Sequence, residues 1–137
     1  MIDEFKGEFR FLSNFWPAIV EFEGIIFPTV EHAYQAAKTL DMQARRVIAE
    51  MPLAGDAKRA GRTLDIRPDW EEVKIDVMRQ LLEKKFFGHF RLMQDLMATK
   101  PHELVEGNWW GDTFWGICKG QGENHLGKLL MGIRDKE

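Results

Sequence analysis

The stretch from Asp69 to Phe86 constrains this chain more than any other. Trp70, Val73, Val77, Met78, Leu81, Leu82 and Phe86 recur at the spacing of one helical face. Pro68 precedes the run and Gly88 follows it, and Asp69 with Glu72 has the form of a capping box. The pattern predicts a helix over 69–86, roughly 27 Å long at about 1.5 Å per residue. Such a stripe cannot be buried alone and demands a layer of other elements against it. Two lysines interrupt it. With Trp70 at 0°, Leu81 lies near ~20°, Lys74 near ~40°, Lys85 near ~60° and Met78 near ~80°. An ammonium is costly to bury unpaired. Either the stems snorkel and the heads reach water, or an anion such as a phosphate or carboxylate meets them.

The remaining pattern supplies the other elements. The first thirty residues alternate apolar and polar, with Phe9 and Phe11, then Ile19–Phe22 and Ile25–Phe27. Glu23-Gly24 between the last two runs reads as a tight hairpin turn. Ser13-Asn14-Phe15-Trp16-Pro17 reads as a loop. Thr29 is placed to cap a helix from Val30, whose stripe is Val30, Ala33, Ala37 and Leu40. Short helices are expected over 43–51 and 90–98, and a short helix or turn over 56–61, each closed by Pro or Gly. Residues 104–117 read as short strands and turns, and Asn124 as the cap of a last helix through Arg134, with Leu126, Leu129, Leu130 and Ile133 inward. The expected fold is α+β and mainly helical, one domain over residues 1–137 with a few short antiparallel strands.

Composition narrows the function. A net charge of −3 and a pI near 5.8 exclude a generally cationic nucleic-acid binder but allow a local basic pocket. The single cysteine, Cys118, excludes an internal disulfide and a multi-cysteine metal site, and reads as a small buried hydrophobe. His32, His89, His102 and His125 show no metal-ligand spacing, so no metal is expected. No apolar run approaches the ~18 residues of a membrane span. The N-terminus is acidic and mixed rather than signal-like, so a cytoplasmic protein with no membrane partner is expected.

Three segments could carry chemistry. On the first helix Glu31, Tyr34, Gln35 and Lys38 fall within an arc of about 100°, putting a carboxylate, a phenol, an amide and an amine on one face. A solvated face fits the same spacing, although Tyr34, the one tyrosine, sits there among polar groups. Gly107–Gly116 holds Trp109, Trp110 and Trp115 around Asp112. Apolar surroundings disfavour a carboxylate and suit a general acid, while a turn aspartate fits equally. Gly120–Lys128 has neither dinucleotide-fingerprint nor P-loop spacing. It reads as a simple Asn cap, or as a helix N-terminus able to hold an anion.

Taken in order, several stretches resemble the NADAR (YbiA-like) family. They are Phe11-Leu12-Ser13-Asn14-Phe15, Val30–Lys38 with its Glu-His-x-Tyr-Gln-x-x-Lys core, Ala60-Gly61-Arg62, and Asp69–Lys74 with Met78. Lys85-Phe86, Leu104-Val105-Glu106, Asp112–Gly116, Gly122–Gly127 and the Leu130–Arg134 region follow. The resemblance covers nearly the whole chain. It implies cofactor-free hydrolysis of a ribosyl N-glycosidic bond. The substrate would be a small phosphoribosylamino-pyrimidine of riboflavin biosynthesis or ADP-ribosylated guanine in nucleic acid. It implies Glu31, Lys38 and Asp112 as catalytic residues in one cleft with Trp70. Glu31 would serve the ribose side, Lys38 would form a Schiff base or bind phosphate, and Asp112 would protonate the leaving base. Trp70 or Trp115 would stack the base, and Lys74, Lys85 or Arg62 would hold phosphate. Ser13, Asn14, Phe15, Tyr34 and Asn124 complete the expected binding set. Aromatics and lysines would serve a non-catalytic nucleotide-binding module equally well; the trio Glu31, Lys38 and Asp112 argues for an enzyme.

Overall fold

A computed structural model describes residues 1–136. They divide into two compact units, one of residues 14–88 and one of residues 1–13 with 89–136.

The 14–88 unit opens with a hairpin of β1 (Val20–Phe22) and β2 (Ile25–Phe27), antiparallel with Val20 opposite Phe27 and Phe22 opposite Ile25. Its two-residue turn holds Glu23 at φ 48° and Gly24 at φ 88°, the two positive values that suit the twist of a tight hairpin. Four helices follow: α1 (Val30–Ala37), α2 (Met42–Ala49), α3 (Ala54–Gly61) and α4 (Trp70–Phe87). Helix α1 packs against α2, α3, α4 and both strands. Ala33, Ala36 and Ala37 are fully buried and small enough to allow close approach on several sides. Phe27, Ile48, Met78, Leu81, Leu82 and Phe86 fill the space between, each contributing roughly 1.5–3 kcal/mol by leaving water. Leu40 departs from its expected inward place and is 61% exposed, because α1 ends at Ala37.

Helix α4 forms where its period and breakers predict, but not with the predicted cap. Asp69 makes no side-chain cap bond. Its carboxylate instead accepts from Arg67 Nε at 2.6 Å and Nη2 at 3.0 Å. A charged fork outcompetes a backbone N–H for the same oxygens.

The other unit begins with a 3-10 helix over Gly7–Leu12, where alternation had suggested extended chain. Its helices are α5 (Phe90–Met97) and α6 (His125–Asp135). Strands β3 (Gly107–Asn108) and β4 (Ile117–Cys118) pair in parallel, correcting the expectation of antiparallel strands alone. The intervening loop turns full circle. Asn108 Nδ2 donates to Asp112 O at 2.8 Å, and Asn108 Oδ1 accepts from Asp112 N at 3.0 Å, so the chain re-enters in its original direction. Ile2 also pairs in parallel with Leu104 through Ile2 N to Glu103 O and Val105 N to Ile2 O, both 2.8 Å. Cys118 is buried, as expected.

Candidate functional site

The polar groups of α1 are placed by the way the helix starts. Thr29 Oγ1 accepts from His32 N at 3.0 Å, the expected N-cap. The His32 ring is fully buried, with Nε2 2.9 Å from Met51 O and Nδ1 2.7 Å from Thr29 Oγ1. A carbonyl only accepts, so Nε2 carries the proton and Nδ1 takes the Thr29 hydroxyl. Burial lowers the His32 pKa, which favours this neutral ring. Asn14 O receives Glu31 N at 3.1 Å, tying the 13–17 loop to the same turn.

Glu31, Tyr34 and Gln35 share one face of α1, as the spacing predicts, but the face is not solvated. All three are under a tenth exposed, because neighbours enclose this short helix. Gln35 Nε2 donates to Glu31 Oε2 at 2.7 Å. Tyr34 packs against Trp70 with ring centroids 5.2 Å apart at 55°. Trp70 is therefore a wall of the buried face rather than an open stacking surface. Asn14 Oδ1 and Gln35 Oε1 are buried with no hydrogen-bond partner among the described residues, a cost of about 1–3 kcal/mol each in a finished core.

Lys38 stands one turn on from Tyr34 and is half-buried, its amine 5.5 Å from the tyrosine ring centre. Burial pulls its pKa below the ordinary lysine value; Glu31 opposes the shift, and Lys74, Lys58 and Arg62 add to it. Four cations thus share one electrostatic neighbourhood with a buried carboxylate: Lys38 just after α1, Lys58 on α3, Arg62 just after α3 and Lys74 on α4. Lys58 also lies 6.0 Å from the centre of the Phe15 ring. Lys58 was missed from sequence, yet it stands four residues before Arg62, the spacing that puts two side chains on one side of a helix.

The two lysines of the α4 stripe part company. Lys74 is mostly covered, but its amine reaches out to Glu71 Oε1 at 2.7 Å. Lys85 is wholly buried, so snorkelling is overturned there, and burial pulls its pKa down to about 7. Its amine lies 5.1 Å from the Phe86 ring centre. Enclosed in this way, it offers no surface to a ligand, and the phosphate role expected for it is not carried forward.

In the other unit, Asp112 is the turn aspartate. Its Oδ1 accepts from Phe114 N at 3.1 Å and Trp115 N at 2.9 Å. Trp115 meets Phe114 edge-on at 4.8 Å and is half-buried. Asn124 corrects the expected cap. It is left-handed, at φ 55°, and makes no side-chain cap bond. Its amide accepts from Glu106 N and donates to Leu104 O, both at 3.0 Å, so it stitches the chain internally. Ser13 closes the 3-10 helix through its N–H to Arg10 O at 2.9 Å.

The NADAR domain family model matches residues 3–136. The chain is 41% identical over 129 residues to N-glycosidase YbiA of Escherichia coli (strain K12), covering 90% of this chain and 79% of that one. It is 38% identical over 146 residues to the chloroplastic riboflavin biosynthesis protein PYRR of Zea mays, covering 93% of this chain and 23% of that one. The NMR structure of E. coli YbiA superposes with a TM-score of 0.85 at 37% identity, covering 99% of this chain and 86% of that one.

Proposed function

The chain belongs to the NADAR family, and from that premise we propose that it is an N-glycosidase acting on a phosphorylated N-ribosyl substrate. One observation carries the reading: a half-buried lysine beside a buried carboxylate, in a field of three further cations. Binding alone needs the cations, whereas glycosidic cleavage also needs a base and a nucleophile or stabiliser at C1′. The naming of a relative for riboflavin biosynthesis favours a phosphoribosylamino-pyrimidine over ADP-ribosylated guanine as substrate.

In this reading Lys74, Lys58 and Arg62 hold phosphate. Glu31 faces the ribose, as base for water or as stabiliser of cationic C1′. In the covalent route the C1′–O4′ bond opens as O4′ takes a proton, leaving a C1′=N iminium to the base. Neutral Lys38 Nζ adds to C1′, its proton passes to the base nitrogen, and the C1′–N bond breaks to leave the Lys38 imine. Water then adds to that imine, freeing the sugar aldehyde and returning the Lys38 amine. Low dielectric around Lys38 populates the neutral amine, and Glu31 accepts its proton.

The decisive experiment follows free base released from a phosphoribosylamino-pyrimidine and from ADP-ribosylated guanosine, side by side. Release from the first at the higher kcat/KM is expected. Binding of both without release would make the chain a binding module. Lys38→Arg keeps the charge but not the nucleophile, so it should abolish turnover with equilibrium substrate binding little changed. Borohydride during turnover should add a sugar to the intact protein, seen by mass spectrometry. An active Lys38→Arg variant would leave Lys38 an electrostatic part only.

A further inference from the structure

Gly61 closes α3 with its Cα against Gln35 of α1. A Cβ built at position 61 would overlap Gln35 Oε1 and stand 2.7 Å from Gln35 Cδ. Its φ lies outside the left-handed region, so space, and not backbone conformation, calls for glycine here. Gln35 has nowhere easy to retreat: it is 5% exposed, and its Nε2 is bonded to Glu31 Oε2 at 2.7 Å. The amide cannot be turned over, because that would set two acceptor oxygens against each other. The N–H end therefore faces Glu31, and the carbonyl end faces the bare Cα of Gly61, where it accepts no hydrogen bond among the described residues. The amide thus leaves one buried oxygen unsatisfied while its other end holds the carboxylate.

We propose that Gln35 and Gly61 form a positioning pair for Glu31, the glycine seating the amide and the amide fixing the carboxylate. The proposal rests on the reading of Glu31 as the carboxylate that works on the ribose. Both residues act through Glu31, one residue removed or two. The four-residue interval between Glu31 and Gln35 aligns them along α1. A methyl group on residue 61 would displace the amide, and the carboxylate would lose that hydrogen bond.

The test is steady-state kinetics on a phosphoribosylamino-pyrimidine for Gln35→Met, Gly61→Ala and Glu31→Ala, singly and in pairs, with thermal unfolding confirming the folded state of each. Gln35→Met keeps volume and removes the N–H, so it carries the test alone if Gly61→Ala does not fold. Each single change at 35 or 61 should lower kcat by about 10- to 100-fold and leave KM within about twofold. Combined, they should cost no more than either alone. In the Glu31→Ala background neither should lower the residual rate further. A wild-type kcat for Gln35→Met overturns the proposal. So does the same factor lost again without Glu31, which would mark a merely structural role. If Glu31→Ala itself keeps the wild-type rate, the reading of Glu31 falls whatever position 35 does.

Discussion

Asp112 spends one oxygen on its own loop. Because Oδ1 takes the N–H groups of Phe114 and Trp115, an alanine there would collapse the turn and report nothing about chemistry. Asp112→Asn keeps an acceptor for both donors and removes the carboxylic proton. If this residue is the acid that the family resemblance implies, the asparagine variant should fold with wild-type stability and lose about 100-fold or more in kcat. Comparison of thermal unfolding with turnover checks both halves. Lys38 gives a prediction in pH. Its folded pKa lies below the ordinary value, and the proposed covalent route uses the neutral amine, so on that route kcat/KM should rise as pH climbs through that pKa. Lys74 is one of the cations that lower it, so Lys74→Met should move the rising limb to higher pH. An unmoved limb in the pH–rate profile would detach the limb from Lys38. At this scale the sequence was informative about who shares a face and poor about who is buried. Glu31, Tyr34, Gln35 and Lys38 were legible as a set from helical spacing. That the set is enclosed depends on neighbours in α2, α3 and α4, which no local pattern on α1 encodes. Asn124 misled for the same reason, its amide being claimed by Leu104 and Glu106, twenty and eighteen residues away.

Helix positions were the most readable feature, because period and breakers are local. Helices α1 to α6 all lie where apolar spacing and Pro, Gly, Thr or Asn signals put them, while the 3-10 turn and the parallel β3–β4 pair depend on bonds the spacing does not show. Helix α1 hangs on Thr29, which both caps the chain and donates to the His32 ring. Thr29→Ala should cost about 1–2 kcal/mol in urea unfolding, more than Thr29→Ser, which restores the hydroxyl. On α4, the buried Lys85 makes stability depend on pH. Its pKa is near 7 in the folded state against an ordinary 10.5. The unfolded chain therefore holds more protons between those values, so stability from this residue rises with pH from about 7 to 10.5 and the penalty is full below 7. Lys85→Met removes the titrating group and should flatten that rise. Urea titrations at pH 6 and pH 9.5 measure the change in slope.

On the scale of the molecule, the family was legible before any element was fixed, since the matching stretches run in order from Phe11 to Arg134 and the family model spans residues 3–136. The division into units was not, because it depends on Ile2 finding Leu104, a pairing with no local signature. Ile2 is 7% exposed. Ile2→Ala should cost about 2–4 kcal/mol by the usual arithmetic of buried methylenes, and hydrogen exchange should show Val105 N–H, which bonds Ile2 O, losing protection early. Uniform loss of protection across all amides would mean that this pairing is no local unit.

That parallel pairing also sets a timetable. At about 5–20 residues per second, a ribosome delivers Leu104 some 5–20 s after Ile2. Throughout that interval Ile2, buried in the finished protein, has no strand to join, while the 14–88 stretch already has its own partners in hand. Ile2 thus waits on a partner that leaves the ribosome much later, and its segment is the natural place for a chaperone to hold on.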